Sequence, residues 1–127
     1  MKLLKGTGDD MLKKISEILN PIASDPGIKM VVLYRIDGVP VYTKLNVPKR
    51  EIAPTLYWLE GQIKEMLYQI FNQNLDEASF KFGNLRIPLY PVSKTLVLGV
   101  MADEETSSYK LDIDLQTVRK QLRELIV

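Results

Sequence analysis

A chain of 127 residues, 46% hydrophobic and 26% charged, is long enough to bury a core without staples and reads as one globular domain. Its net charge of +1, from 17 basic and 16 acidic side chains, supplies none of the strong positive field that nucleic-acid or acidic-membrane binding needs. With no cysteine and no histidine, disulfides, thiolate or imidazole metal sites and every Ser-His or Cys-His nucleophile are excluded, and neither a metal nor a cofactor is expected.

The start "MKLLKGTGDD" is too short for a secretory signal, and no apolar run approaches the roughly 18 residues of a membrane span. A soluble, cytoplasmic protein without direct membrane insertion is the expected class, and residues 1–8 are expected to fray. The first helix is expected from about Asp9 to Asn20 or a little beyond. Asp9 or Asp10 can cap it, and Met11, Leu12, Ile15, Ile18, Leu19 and Ile22 recur at helical spacing. Pro21 lacks the amide a helix interior needs, so the helix should end or kink there before "SDPG" turns the chain.

Ile28–Ile36 and Val39–Leu45 read as two strands joined by an Asp37-Gly38 hairpin turn. The first is apolar on both faces, with Met30, Val32, Tyr34 and Ile36 on one and Val31 and Leu33 on the other, so it belongs inside a sheet. In the second, Val39, Val41, Thr43 and Leu45 should share a face opposite Pro40, Tyr42 and Lys44, and the proline suits an edge. A long helix follows from about Glu51 to Asn72, with Pro54 tolerable if it lies in the first turn.

Three further strands are expected at Ser79–Phe82, Leu85–Val92 and Thr95–Ala102, turning at Gly83-Asn84 and Ser93-Lys94. Thr95–Ala102 is apolar on both faces and is the natural inner neighbour of Ile28–Ile36, whereas Ser79–Phe82 is one-sided and should be the other edge. After the polar loop "DEETSS", Leu111, Leu115, Val118, Leu122 and Leu125 mark a last helix, their longer period prevailing over the strand-like alternation of "KLDID". The expected fold is α+β: a five-stranded antiparallel sheet in the order 2-1-5-4-3. The long second helix covers one face, and the first and last helices cover the other.

The long helix has two apolar faces. At about 100° per residue, Ile52, Leu56, Leu59, Ile63, Met66, Leu67 and Ile70 form the stripe that packs on the sheet. Near the opposite direction lie Tyr57, Gly61 and Tyr68, flanked by Trp58 and Phe71, where an outer helix of a monomer should carry charge. A mid-helix glycine costs about 0.5–1 kcal/mol relative to alanine, a cost tolerable where another backbone comes close. Scattered exposed rings would be ordinary. The sharper expectation is that this face, with the free edge Ser79, Phe80, Lys81 and Phe82, meets another protein, most simply a second copy on a two-fold axis.

The order of elements, with "YRIDGVPVYTK" at Tyr34–Lys44 and the fourth strand ending "PLYPV", resembles the roadblock domain, the family of dynein light chains and of partners for Ras-like GTPases. The resemblance covers Met11 to Leu125. It implies a homodimer, or a heterodimer with a related roadblock chain, through the second helix and third strand, making one ten-stranded sheet. It also implies a scaffold or regulator of a Ras-like small GTPase rather than an enzyme. Tyr57, Trp58, Gly61, Tyr68 and Phe71, with Ser79–Phe82, match the implied dimer surface. Lys49 and Arg50, a basic rim with Lys44, are candidate GTPase contacts together with Pro54 and Glu65.

Other chemistry is weaker. "GTGDD" lacks the Gly-Lys-Ser/Thr of a phosphate loop and is acidic where an anion would sit. Asp103, Glu104 and Glu105 lack the continuing ligand spacing of a hard-cation site. The competing function is a sensor or small-molecule binding module of similar build, which would show an internal cavity and a monomer stable alone.

Overall fold

The computed structural model describes residues 8–35, 38–73, 77–93, 95–103, 106 and 108–125; of these, residues 8, 9, 66, 67, 69–73, 82, 108 and 109 are described by their backbone only. In chain order the elements are α1 (Gly8–Ala23), β1 (Ile28–Arg35), β2 (Pro40–Leu45), α2 (Lys49–Gln73), β3 (Ala78–Phe82), β4 (Leu85–Ser93), β5 (Leu96–Asp103) and α3 (Ser108–Leu125). Asp37, Lys94, Glu104, Glu105 and residues 1–7, on which several of the expectations above fall, lie outside the described residues.

The strands form one sheet in the order β2-β1-β5-β4-β3, every neighbouring pair antiparallel. This is the expected order, and burial explains it. Val31 and Leu33 of β1 join Leu96, Leu98 and Val100 of β5 under α1 and α3, packed on Ile15, Leu19, Leu115 and Leu122. Met30 and Val32, with Val97 and Met101, face the other way and meet Ile52, Leu59 and Ile63 of α2. A strand covered on both faces has no reason to alternate.

Gly99 sits where these strands crowd. A Cβ there would lie 3.0 Å from Leu89 Cδ2 and 3.2 Å from Val32 Cγ1. Gly99→Val is expected to lower stability by about 1–3 kcal/mol through overpacking, read as a lower urea midpoint at unchanged slope. An unchanged midpoint would show that the two neighbours yield freely.

Five local expectations are corrected. The first helix continues through Pro21 to Ala23 without ending there. The missing bond is the one Pro21 would give Glu17, and burial of Ile22 and Ala23 in the last turn outweighs it. Leu12 is 42% exposed and lies off the buried stripe of α1. Asp9 and Asp10 fall inside a helix that begins at Gly8, so neither is its cap. Pro54 is the sixth residue of a helix that starts at Lys49, just past the turn whose amides need no partner. Val41 packs with the α1 side and not with Leu45, because the β1–β2 register shifts between Leu33 and Tyr34, pairing Tyr34 with Pro40.

The inner strand β4 contains Pro88 and Pro91, and its pairing with β5 shifts between Pro91 and Ser93. Two arginines of α3 repair this irregular end. Arg119 Nε donates to the Pro91 carbonyl at 2.7 Å, and Arg123 Nε donates to the Val92 carbonyl at 2.9 Å. Arg119 is 5% exposed and its guanidinium lies 5.7 Å from the centre of the Tyr90 ring.

Candidate functional site

Three contacts fix how α2 is rolled on the sheet. On one flank the Tyr34 hydroxyl of β1 donates to Glu60 Oε1 at 2.7 Å. On the same flank Lys64 reaches the β1–β2 hairpin, its Cε 3.7 Å from where a Cβ of Gly38 would stand. On the opposite flank the Trp58 ring meets Phe80 of β3 edge-on, with centroids 4.9 Å apart at 87°. Between them Ile52, Leu59 and Ile63 face the sheet and are buried.

The crest of α2 is therefore outward. Tyr57 is 82% exposed and Tyr68 60%. Gly61 is exposed as well, and a Cβ there would meet nothing within 4 Å. Trp58, by contrast, is half-buried against Phe80 and the α2-side core. Lys49, Arg50, Pro54 and Glu65 are all exposed. β3 ends the sheet, with Ser79 and Lys81 exposed and Phe80 turned towards α2. The side chains of Phe71 and Phe82 lie outside those described.

Of the residues singled out in the sequence, the structure thus gathers Arg50, Pro54, Tyr57, Gly61, Glu65 and Tyr68 along the outer side of α2 and sets Trp58 and Phe80 at the β3 side. Glu60 and Lys64 went unremarked in the sequence. Their signal was available: both project about 80–120° from the buried stripe, where a polar side chain reaches sideways to a neighbouring strand.

Burial, the Glu60 hydrogen bond and the Glu60 charge hold the Tyr34 phenol well above the usual tyrosine range. Tyr90 is pushed up to about 12, by burial first and then by Asp112 and Glu77, with Arg119 opposing. Burial also raises Tyr42, which donates to Asn20 Oδ1 at 3.0 Å. The folded chain therefore holds these protons to higher pH than the unfolded chain does. Their contribution is complete below about pH 10 and is lost as pH rises towards 12 and beyond. Urea midpoints are expected to stay level from pH 8 to about 9.5 and fall above 10, less steeply in Tyr34→Phe. An equal alkaline fall in that variant would deny Tyr34 a share.

Among the described residues no group of three acidic side chains could hold a metal ion, and no helix is long and apolar enough to cross a membrane. Two concavities among the described residues lie away from α2. An open groove between α1 and α3 is lined by Ile18, Pro21 and Leu125 with Glu17 and Glu124, and a cleft of about 270 Å³ lies between Ile22, Asp25, Thr106 and Lys110.

The sheet order, the single long helix on one face and the helix pair on the other define the roadblock fold. Solved structures share it at low identity. MglB of Myxococcus xanthus matches with a TM-score of 0.75 at 14% identity, covering 96% of this chain and 92% of that one. An MglB "with tetrameric arrangement" matches at 0.69 and 14%, covering 97% and 93%. The Roadblock/LC7 domain from Streptomyces avermitilis matches at 0.63 and 12%, covering 88% and 93%. The family model described as AF0774-like protein matches residues 12–116, and the chain belongs to that family. No curated protein matches it in sequence.

Proposed function

We propose that the chain is a non-enzymatic cytoplasmic scaffold or regulator that pairs with a second copy or a related roadblock chain and binds a Ras-like small GTPase on its paired long helices. The observation that carries this reading is the outer side of α2. Exposed tyrosines and an exposed glycine run along a helix that lies beside the free edge strand β3. An apolar helix face and an unpaired strand edge side by side are what an isologous interface uses. The neighbour solved with a tetrameric arrangement agrees with self-association.

Gly61 gives a clean test, because open space surrounds it and replacing a mid-helix glycine does not strain the monomer. Gly61→Trp is expected to halve the mass in light scattering and leave the circular dichroism unchanged. It should also abolish any effect of the wild-type chain on nucleotide exchange or hydrolysis by a small GTPase from the same cell. A variant that keeps both its mass and that effect would contradict the reading.

A further inference from the structure

The edge formed by β3 carries a charge of each sign, and both lie on the sheet face turned away from α2. Ala78 and Phe80 pack into the α2-side cluster, so alternation turns Glu77, Ser79 and Lys81 towards the face of α1 and α3. All three are exposed. In agreement, the Glu77 charge helps to hold up the phenol of Tyr90, which belongs to the cluster on the α1 and α3 side. Within the chain each charge has its own sign nearby. Lys81 stands directly across from Arg86, and Glu77 shares Tyr90 with Asp112. Like charges facing each other across a sheet are destabilising.

The backbone narrows how a second copy can add to this edge. Phe82 and Leu85 flank the two-residue turn Gly83-Asn84 and exchange both backbone bonds. Phe80 with Ile87, and Ala78 with Leu89, repeat that arrangement. Ser79 lies opposite Pro88, which has no amide to give it. The N–H and C=O groups of Ser79 and Lys81, and of Glu77 just before the strand, therefore point off the sheet. A two-fold axis perpendicular to the sheet pairs these residues only with one another. The register of longest overlap sets Ser79 against its own copy. Glu77 and Lys81 lie two residues to either side of it, so each then falls opposite the other across the seam. Moving the axis to Ala78 or to Phe80 instead makes the two glutamates or the two lysines diagonal neighbours.

We infer that Glu77 and Lys81 are a specificity-determining pair that fixes self-pairing about Ser79 and selects a second copy of this chain over a related roadblock chain lacking that order of charges. Attraction at both ends of the seam rewards the self-paired register, and repulsion penalises slipped registers and mismatched partners. The inference rests on the pairing through β3 proposed above, and it names the partner that the pairing left open.

The test is sedimentation equilibrium of the full chain and its charge variants at low salt. Glu77→Lys and Lys81→Glu each turn two opposite-charge contacts into two like-charge contacts. Each is expected to weaken self-association about tenfold or more, with circular dichroism unchanged. An equimolar mixture of the two variants is expected to regain twice the single-chain mass, because opposite charges then meet at both ends of the seam. Glu77→Lys/Lys81→Glu is expected to self-pair within about threefold of wild type, yet not to exchange subunits with a labelled wild-type chain. Wild-type self-association in both single variants would overturn the charge rule and leave the pairing standing. Failure of the mixture to pair, or free exchange between the double variant and wild type, would overturn the rule in the same way. A single-chain mass for the wild type at every concentration would overturn the pairing, and the charge rule with it.

Discussion

Arg119→Ala is expected to lower the stability of the fold by about 2–4 kcal/mol, although the residue lies far from the surface proposed to function. Its Nε donates to the Pro91 carbonyl, and its guanidinium lies over the buried Tyr90 ring. Deleting the side chain leaves that carbonyl beside an irregular stretch of β4 with one donor fewer, and an unsatisfied buried acceptor costs about 1–3 kcal/mol. The lost ring contact adds about 0.5–2 kcal/mol. Arg119→Lys should recover little, because an ammonium cannot reproduce the fixed geometry of the guanidinium Nε–H. Urea unfolding checks the prediction, through a lower midpoint at unchanged slope in both variants. A midpoint within experimental error of wild type would mean that α3 does not staple the strand.

Leu59→Ala is expected to cost about 2–5 kcal/mol. Leu59 is 0% exposed at the middle of the α2 stripe, and Met30, Val32, Ile87, Leu89 and Met101 belong to the same cluster. The void lies directly beneath the helix proposed to pair, so self-association should weaken along with stability. Arg119→Ala, on the other sheet face, should leave association untouched at a temperature where the chain remains folded. The two substitutions share no partner, so their costs should add to within about 0.5 kcal/mol. A large shortfall from the sum would show that the two layers communicate through the sheet. Association unchanged in Leu59→Ala would detach the packing of α2 from the pairing assigned to it.

The architecture was legible because two strands, Ile28–Arg35 and Leu96–Asp103, are apolar on both faces, which leaves them no place but the sheet interior. The last helix was legible from Leu111, Leu115, Val118 and Leu122, all buried in the structure. What escaped was what depends on neighbours distant in sequence. The passage of α1 through Pro21 depends on a core that takes up Ile22 and Ala23. The face of Val41 depends on a register shift that periodicity cannot contain. The pairing of Arg119 and Arg123 with β4 joins residues 28 and 31 positions apart, a distance that no local spacing in the sequence bridges.

The site divides in the same way. A stripe of rings opposite the buried face of α2 was visible from helical spacing alone, and Tyr57 and Tyr68 are indeed exposed. Spacing gives angles around a helix axis but not which strand lies under which flank. Only Tyr34 against Glu60 and Trp58 against Phe80 fix that, and they separate Trp58 from the two tyrosines it adjoined in the sequence reading.

Sedimentation equilibrium of the wild-type chain across a concentration series tests the central claim most directly, since the proposed function rests on self-pairing through α2 and β3. A mass converging on twice that of the single chain, and falling to the single-chain value in Gly61→Trp, is the predicted result. A single-chain mass for the wild type throughout, up to hundreds of micromolar, would contradict self-pairing through α2 and β3.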